Sequence, residues 1–161
     1  MARSMRPIRR RALGIAPGII ILGIFAAVAL GSPGSGITAP DLVGKAELDP
    51  VHLNSDRIKF QTKDPAAVRV QTLTFAPGAY TGWHHHPGFT IVAVKEGEVT
   101  VVDANCNTTP HPAGTAFVEY GDDPLEVRNR GAVPATVYAT YVALSASTQV
   151  WRLEDAVHNC P

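Results

Sequence analysis

The chain has 161 residues, 45% of them hydrophobic and 17% charged, which is enough for one ordinary core and too short for two comfortable domains. Basic and acidic residues balance at 14 each, yet Arg3, Arg6, Arg9, Arg10 and Arg11 all precede the first acidic residue, Asp41. The remainder carries a net charge of about −5 and so has no electrostatic reason to seek nucleic acid.

Behind the arginines, Ala12 to Gly31 reads ALGIAPGIIILGIFAAVALG, an uncharged apolar run of about 20 residues. A positive segment followed by such a run is the pattern of an export signal, with small residues at Ala27-Val28-Ala29 or Ala29-Leu30-Gly31 for a peptidase to read. The same run is long enough to stay in a bilayer as an uncleaved transmembrane anchor. Residues 1–31 are therefore expected to be a signal peptide or membrane anchor, and the positive-inside rule puts everything after Gly31 outside the cytoplasm, secreted or tethered. Ser32 to Pro40 is rich in Ser, Gly and Pro and reads as a flexible tether, so residues 32–56 are taken as linker and lead-in. In an oxidising compartment the two cysteines, Cys106 and Cys160, are expected to pair.

The body alternates rather than repeating every 3.6 residues. Val51, Leu53, Ile58 and Phe60 suggest two short edge strands, with His52 on the surface. Val68 to Phe75 is β-rich and ends at a Pro77-Gly78 turn; Phe89 to Lys95 and Glu98 to Asp103 suggest a hairpin about Glu96-Gly97. Ala104 to Pro112 collects Asn, Thr and Pro and reads as a loop exposing His111. Thr115 to Tyr120, Leu125 to Asn129 and the long alternating run Val133 to Leu144 follow, and only Gln149 to Val157 hints at a helical period. Strands at roughly ten-residue spacing, separated by Gly, Pro and Asn, argue an antiparallel sandwich or barrel.

The chemistry gathers at Gly82-Trp83-His84-His85-His86. On an extended segment, side chains two residues apart point the same way, so His84 and His86 can share one metal ion while Trp83 is a pocket wall or core residue. No nucleophile and base stand at a telling spacing; Ser145 and Ser147 fall in an expected loop.

Gly78, five residues, His84-x-His86, three residues to Thr90 and six more to Gly97 resembles the first motif of the cupin superfamily. A second, looser pattern follows at Gly114, Tyr120, Leu125 and Asn129. The resemblance implies an all-β fold, a double-stranded β-helix or cupin jelly roll, over residues 57–161, with the His pair in its mouth. It also implies a divalent metal such as iron, manganese, nickel or zinc, and a homodimer as an assembly open to the chain. Two positions depart from the pattern: Thr90 stands where cupins usually place a carboxylate, and Leu125 where the second motif usually supplies a histidine. A third ligand would then have to come from His85, Glu119 or Asp123, with Trp83, Thr90, Phe117 and Leu125 forming the pocket. The expected function is an exported cupin that binds a small molecule, with or without a metal. The alternative is a metal-dependent enzyme of dioxygenase or isomerase type using substitute ligands.

Export is directly testable: residues 1–40 fused to a reporter active only outside the cytoplasm should give strong activity. Activity no higher than that of the leaderless reporter would refute the leader.

Overall fold

The computed structural model describes residues 32–147 and 150–160. Residues 1–31, where a leader or anchor is expected, lie outside them; among the described residues no helix is long and apolar enough to cross a membrane. The strands are β1 (Ser35–Thr38), β2 (Asp41–Leu48), β3 (His52–Ser55), β4 (Ile58–Gln61), β5 (Ala66–Tyr80), β6 (His84–His85), β7 (Phe89–Glu96), β8 (Glu98–Asp103), β9 (Thr108–Pro112), β10 (Ala116–Tyr120), β11 (Leu125–Arg128), β12 (Ala135–Leu144) and β13 (Leu153–Glu154). All pairings are antiparallel. The one helical piece among the described residues is a 3₁₀ turn at Ser145–Ser147. The chain is thus the all-β barrel that its alternation implies.

One wall runs β10-β7-β12-β5, with β2 and β1 also laid on β5. Inward positions follow the period of two: Thr90, Val92 and Val94 on β7, and Ala135, Val137, Ala139 and Tyr141 on β12, are buried, whereas Ile91 and Tyr138 face out. The other wall is β9-β8-β11 with β6 and β13 beyond it. Phe75, Val92, Val99, Val127 and Val137 meet between the walls as one core.

The strand β5 belongs to both walls. It pairs with β12 up to Phe75 and with β11 at Tyr80, so Pro77-Gly78, read from sequence as a turn that ends the strand, is a bend within it. Strands that change sheets commonly do so at such bends. Asn129 fixes this one. Fully buried, its Nδ2 donates to the carbonyls of Phe75 (3.1 Å) and Val133 (2.8 Å), its Oδ1 accepts from the Gly131 amide (2.9 Å), and its own amide donates to the Ala79 carbonyl (2.8 Å).

Three segments differ from their sequence reading. Ser32 to Pro40, expected to be a loose tether, contains β1 and packs on the barrel: a Cβ at Gly34 would lie 2.5 Å from the Thr81 carbonyl oxygen, so the small residue there permits close approach. Ala104 to Pro112, expected to be a loop, ends in β9, which among the described residues pairs only with β8; Pro110 and Pro112 are tolerated because an edge strand need not donate on its free side. His111 there is half-buried with its ring 4.4 Å from that of Phe117. Gln149 to Val157 contributes β13 and no helix among its described residues.

Cys106 and Cys160 form a disulfide, consistent with an extracytoplasmic location. Asp103 organises the loop that presents Cys106, its Oδ1 accepting from the amides of Asn105 and Asn107 at 2.9 Å each. The bridge closes a separation of 54 residues, worth about 4 kcal/mol in the chain-entropy model. Replacing both cysteines by serine should lower the unfolding free energy in urea by up to that amount. A double variant as stable as the parent would show that the tail is held without the bridge.

Candidate metal centre

The histidine motif is shaped by what crowds it. Gly82 has φ +72°, and a Cβ there would meet the Ser32 carbonyl oxygen at 1.6 Å, so no other residue fits. The next amide, Trp83 N–H, donates to Ser32 Oγ (2.7 Å), and Ser32 N–H donates to the Asp155 carbonyl (3.0 Å). The amino-terminal segment, the motif and the carboxyl-terminal tail are thereby joined at one point. Between them β6 pairs with β11 on one side, Leu125 opposite His84, and with β13 on the other, Glu154 opposite His84 and Leu153 opposite His85.

The alternation expected of the triplet is what this pairing produces. His84 and His86 are buried, 3% and 6% exposed, with ring centres 5.0 Å apart. His85 turns to the other side and donates from Nδ1 to Asp155 Oδ2 (2.7 Å). The buried pair meets Glu119, itself 5% exposed: one donor atom from each of the three lies within 4.8 Å of the others, a cluster that could hold a metal ion. Glu119 Oε2 is 2.9 Å from His86 Nε2 and 4.0 Å from His84 Nε2. Asp123, the other carboxylate considered, is exposed in the turn before β11.

Glu119 reaches the site through sheet register. It is the direct partner of Thr90 across β10 and β7, and Tyr141 is the partner of Thr90 across β7 and β12. Directly opposed residues share a face, so all three point inward. The carboxylate missing at position 90 is supplied one strand over. Thr90 itself is 1% exposed and its hydroxyl finds no hydrogen-bond partner among the described residues, an uncommon state for a buried polar atom.

Second contacts set the ring protons. His84 Nδ1 donates to the Gly82 carbonyl (2.9 Å) and His86 Nδ1 to the Trp151 carbonyl (2.7 Å), which aims both Nε2 atoms at the carboxylate. Burial drives the His84 pKa down to about 4, against the upward pull of the Glu119 charge, so this ring is neutral near pH 7 and offers a lone pair. His86 is placed between two acceptors, a carbonyl and a carboxylate. With Nδ1 committed to the carbonyl, Nε2 is left to share a cation with the Glu119 carboxylate. Burial, helped by the Glu119 charge, raises the Tyr141 phenol to about 12, so that it remains a hydrogen-bond donor; its ring is centred 5.3 Å from that of His86.

These groups sit at the polar end of a chamber of about 40 Å³ whose apolar walls include Phe75, Val92, Phe117 and Val137. Thr81, Leu73, Tyr141 and Arg152 border both this chamber and a larger cavity of about 320 Å³ beside it. Of the four residues proposed from sequence as the pocket, Phe117 lines the chamber. Leu125 is half-buried against the core opposite His84, Thr90 lies buried beside Glu119, and Trp83 is buried with its ring 4.6 Å from that of His158 in the tail. Trp151, Arg152 and Asp155 were not singled out from sequence. The signal available for them was Cys160, whose pairing brings the end of the chain back to the barrel.

The depressed His84 pKa has a definite sign. Below pH 6.5 the unfolded chain binds a proton at this ring that the folded chain refuses, so stability is full above pH 6.5 and falls as the pH drops toward 4, by on the order of 3 kcal/mol. Urea unfolding of the metal-free protein at pH 7 and at pH 4.5 should show this loss, and His84→Asn should lose markedly less over the same interval. Equal losses would place the acid sensitivity elsewhere.

A family model described as a cupin domain matches residues 71–141, the span from β5 to β12 that carries both motifs. The chain is similar to the (R)-mandelonitrile lyase of Granulicella tundricola, 32% identical over 121 residues that cover 71% of this chain and 79% of the relative. Among solved structures it is similar to the polyketide cyclase RemF from Streptomyces resistomycificus, with a TM-score of 0.50 and 15% identity over 68% of this chain and 67% of that one. It is also similar to a sugar phosphate isomerase of Silicibacter pomeroyi, with a TM-score of 0.44 and 23% identity, where it spans about half of the other chain's length, 51%, over 48% of its own. At 15% identity the likeness to the cyclase speaks to fold alone. The motif spacing, the barrel that the motif sits in, and the lyase relative sharing most of its length with this chain agree: the chain belongs to the cupin superfamily.

Proposed function

We propose that this protein is an extracytoplasmic cupin that binds a divalent metal through His84, His86 and Glu119 and offers it to a small molecule. The observation that carries this reading is the double engagement of His86, whose Nδ1 is committed to the Trp151 carbonyl while Nε2 faces a buried carboxylate at 2.9 Å. Two imidazoles and one carboxylate are a donor set used both for catalytic zinc and for the facial triad of non-haem iron, each of which leaves coordination positions free. The donors fit the group, and the orphaned Thr90 hydroxyl beside them adds a polar atom that awaits a partner. When bound, such an ion supplies Lewis acidity toward an oxygen or nitrogen of the small molecule. The chain's own residues orient the ligands through Gly82 and Trp151, keep bulk water out with the apolar chamber walls, and hold a proton at the Tyr141 hydroxyl. Export is supported by the Arg-led apolar run at the amino end and by the disulfide.

A catalytic reading is favoured by one specific finding, the 32% identical relative that is a mandelonitrile lyase. In that reading the chain is a metal-dependent enzyme with Glu119 as the substitute ligand, and the dioxygenase and isomerase classes give way to a lyase as the first to test.

Elemental analysis of untagged protein should find about one transition-metal ion per chain, and Glu119→Gln or His84→Ala should weaken cobalt or zinc binding at least 10-fold, the range associated with disturbed metal sites. Wild-type protein that takes up no stoichiometric ion would sink the metal reading. Incubation with (R)-mandelonitrile, followed by benzaldehyde absorbance, separates the two functions: chelator-sensitive release supports the lyase, and its absence leaves the binding protein.

A further inference from the structure

The larger cavity beside the metal chamber has a charge character that the chamber lacks. Its charged lining residues are Arg69 and Arg152, with no carboxylate among them, and Ile37, Leu73 and Trp151 contribute an apolar wall. Asp41 pairs with Arg69 (2.7 Å) and Glu154 with Arg152 (2.9 Å), but neither carboxylate lines the cavity.

Arg152 stands where the two spaces meet, bordering both. One of its terminal nitrogens, Nη2, donates to the Thr81 carbonyl and to Glu154 Oε2. Its Nε is withdrawn from solvent and meets no acceptor among the described residues. The head as a whole is 29% exposed and, among the described residues, only Nη2 has partners, so its cavity-facing end keeps N–H donors for a carboxylate, the acceptor whose geometry and charge suit a guanidinium. Tyr141 borders both spaces as well and carries a second donor, its hydroxyl.

The volumes divide the ligand. At about 40 Å³ the inner chamber has room for little more than one water-sized group, whereas about 320 Å³ lies at the lower end of small-molecule pockets. The body of a ligand therefore occupies the outer cavity, and only a small head passes Arg152 toward the histidines.

We propose that the outer cavity selects small organic acids, holding a carboxylate at Arg152 with Arg69 as supporting charge and the hydrocarbon portion against Ile37, Leu73 and Trp151. This deepens the metal-site reading by naming its ligand class, and it rests on that reading only for what lies inward of Arg152.

Benzoate and its neutral counterpart benzamide are the probes, titrated by calorimetry into the full-length protein at pH 7, both metal-free and cobalt-loaded, with cobalt uptake measured separately. Benzoate should bind at least 10-fold more tightly than benzamide in the metal-free protein, and Arg152→Gln should abolish that preference. Glu154→Gln, at an exposed position, removes the carboxylate that competes for the guanidinium and should tighten benzoate several-fold, which keeps the test open if Arg152→Gln does not fold. Equal binding of the two probes, no saturable binding of benzoate at 10 mM, or a Glu154→Gln variant that binds benzoate no better than wild type would overturn the proposal. A carboxylate preference in protein that takes up no cobalt would condemn the metal site and uphold the acid site, whereas cobalt uptake without the preference would do the reverse.

Discussion

Two imidazoles and a carboxylate share an enclosed, largely apolar space, and satisfying them is the constraint on which the rest of this structure depends. Buried polar groups are tolerated only when paired, and here the pairing partners come from far apart in the sequence. Gly82 supplies a carbonyl for His84 from two residues away, but the carbonyl for His86 belongs to Trp151, 65 residues later. A cupin barrel holding only the motif residues would leave one of the two buried rings unoriented. The tail is therefore part of the site, and its attachment to the barrel by β13, by His158 on Trp83 and by the disulfide is part of the site's geometry.

A second fixed point lies at the other end of β5. By holding the bend at Pro77-Gly78 against the loop that leads into β12, Asn129 decides where β5 crosses from one wall to the other, and hence where Thr81, Gly82 and the histidines emerge. Its side chain does work that backbone groups would do in a regular sheet, since the carbonyls at a bend have lost their ladder partners. The first motif is thus positioned by the second even though Leu125 has no metal-binding chemistry to offer.

Much of this was legible in the residues. A period of two predicts that His84 and His86 point together and His85 apart, and the strand pairing of β6 delivers that arrangement. Alternation from Val68 to Leu144 marks an all-β body, and the spacing about Gly78, His84 and Gly97 marks the family. Glu119 was named as one substitute ligand among three because nothing local distinguishes it; what does is its register opposite Thr90, and register between β7 and β10 is set by distant packing. Ser32 to Pro40 misled for a physical reason: small residues signal either freedom or tight approach, and only the carbonyl oxygens facing Gly34 and Gly82 reveal which. Pro110 and Pro112 hid β9 because proline argues against a strand unless the edge is known to be free.

The 65 residues that separate Trp151 from His86 have a temporal consequence. A cluster oriented only by residues 82 to 119 would be complete before Trp151 was made. In this one His86 is oriented only once Trp151 and β13 have been made and have folded back onto β6. Because selectivity among first-row ions rests on geometry, ligand type and availability rather than on raw affinity, what a site holds depends in part on which ions are at hand when it closes. For the metal site proposed above, the late arrival of Trp151 would leave part of that choice to the surroundings in which the tail folds back.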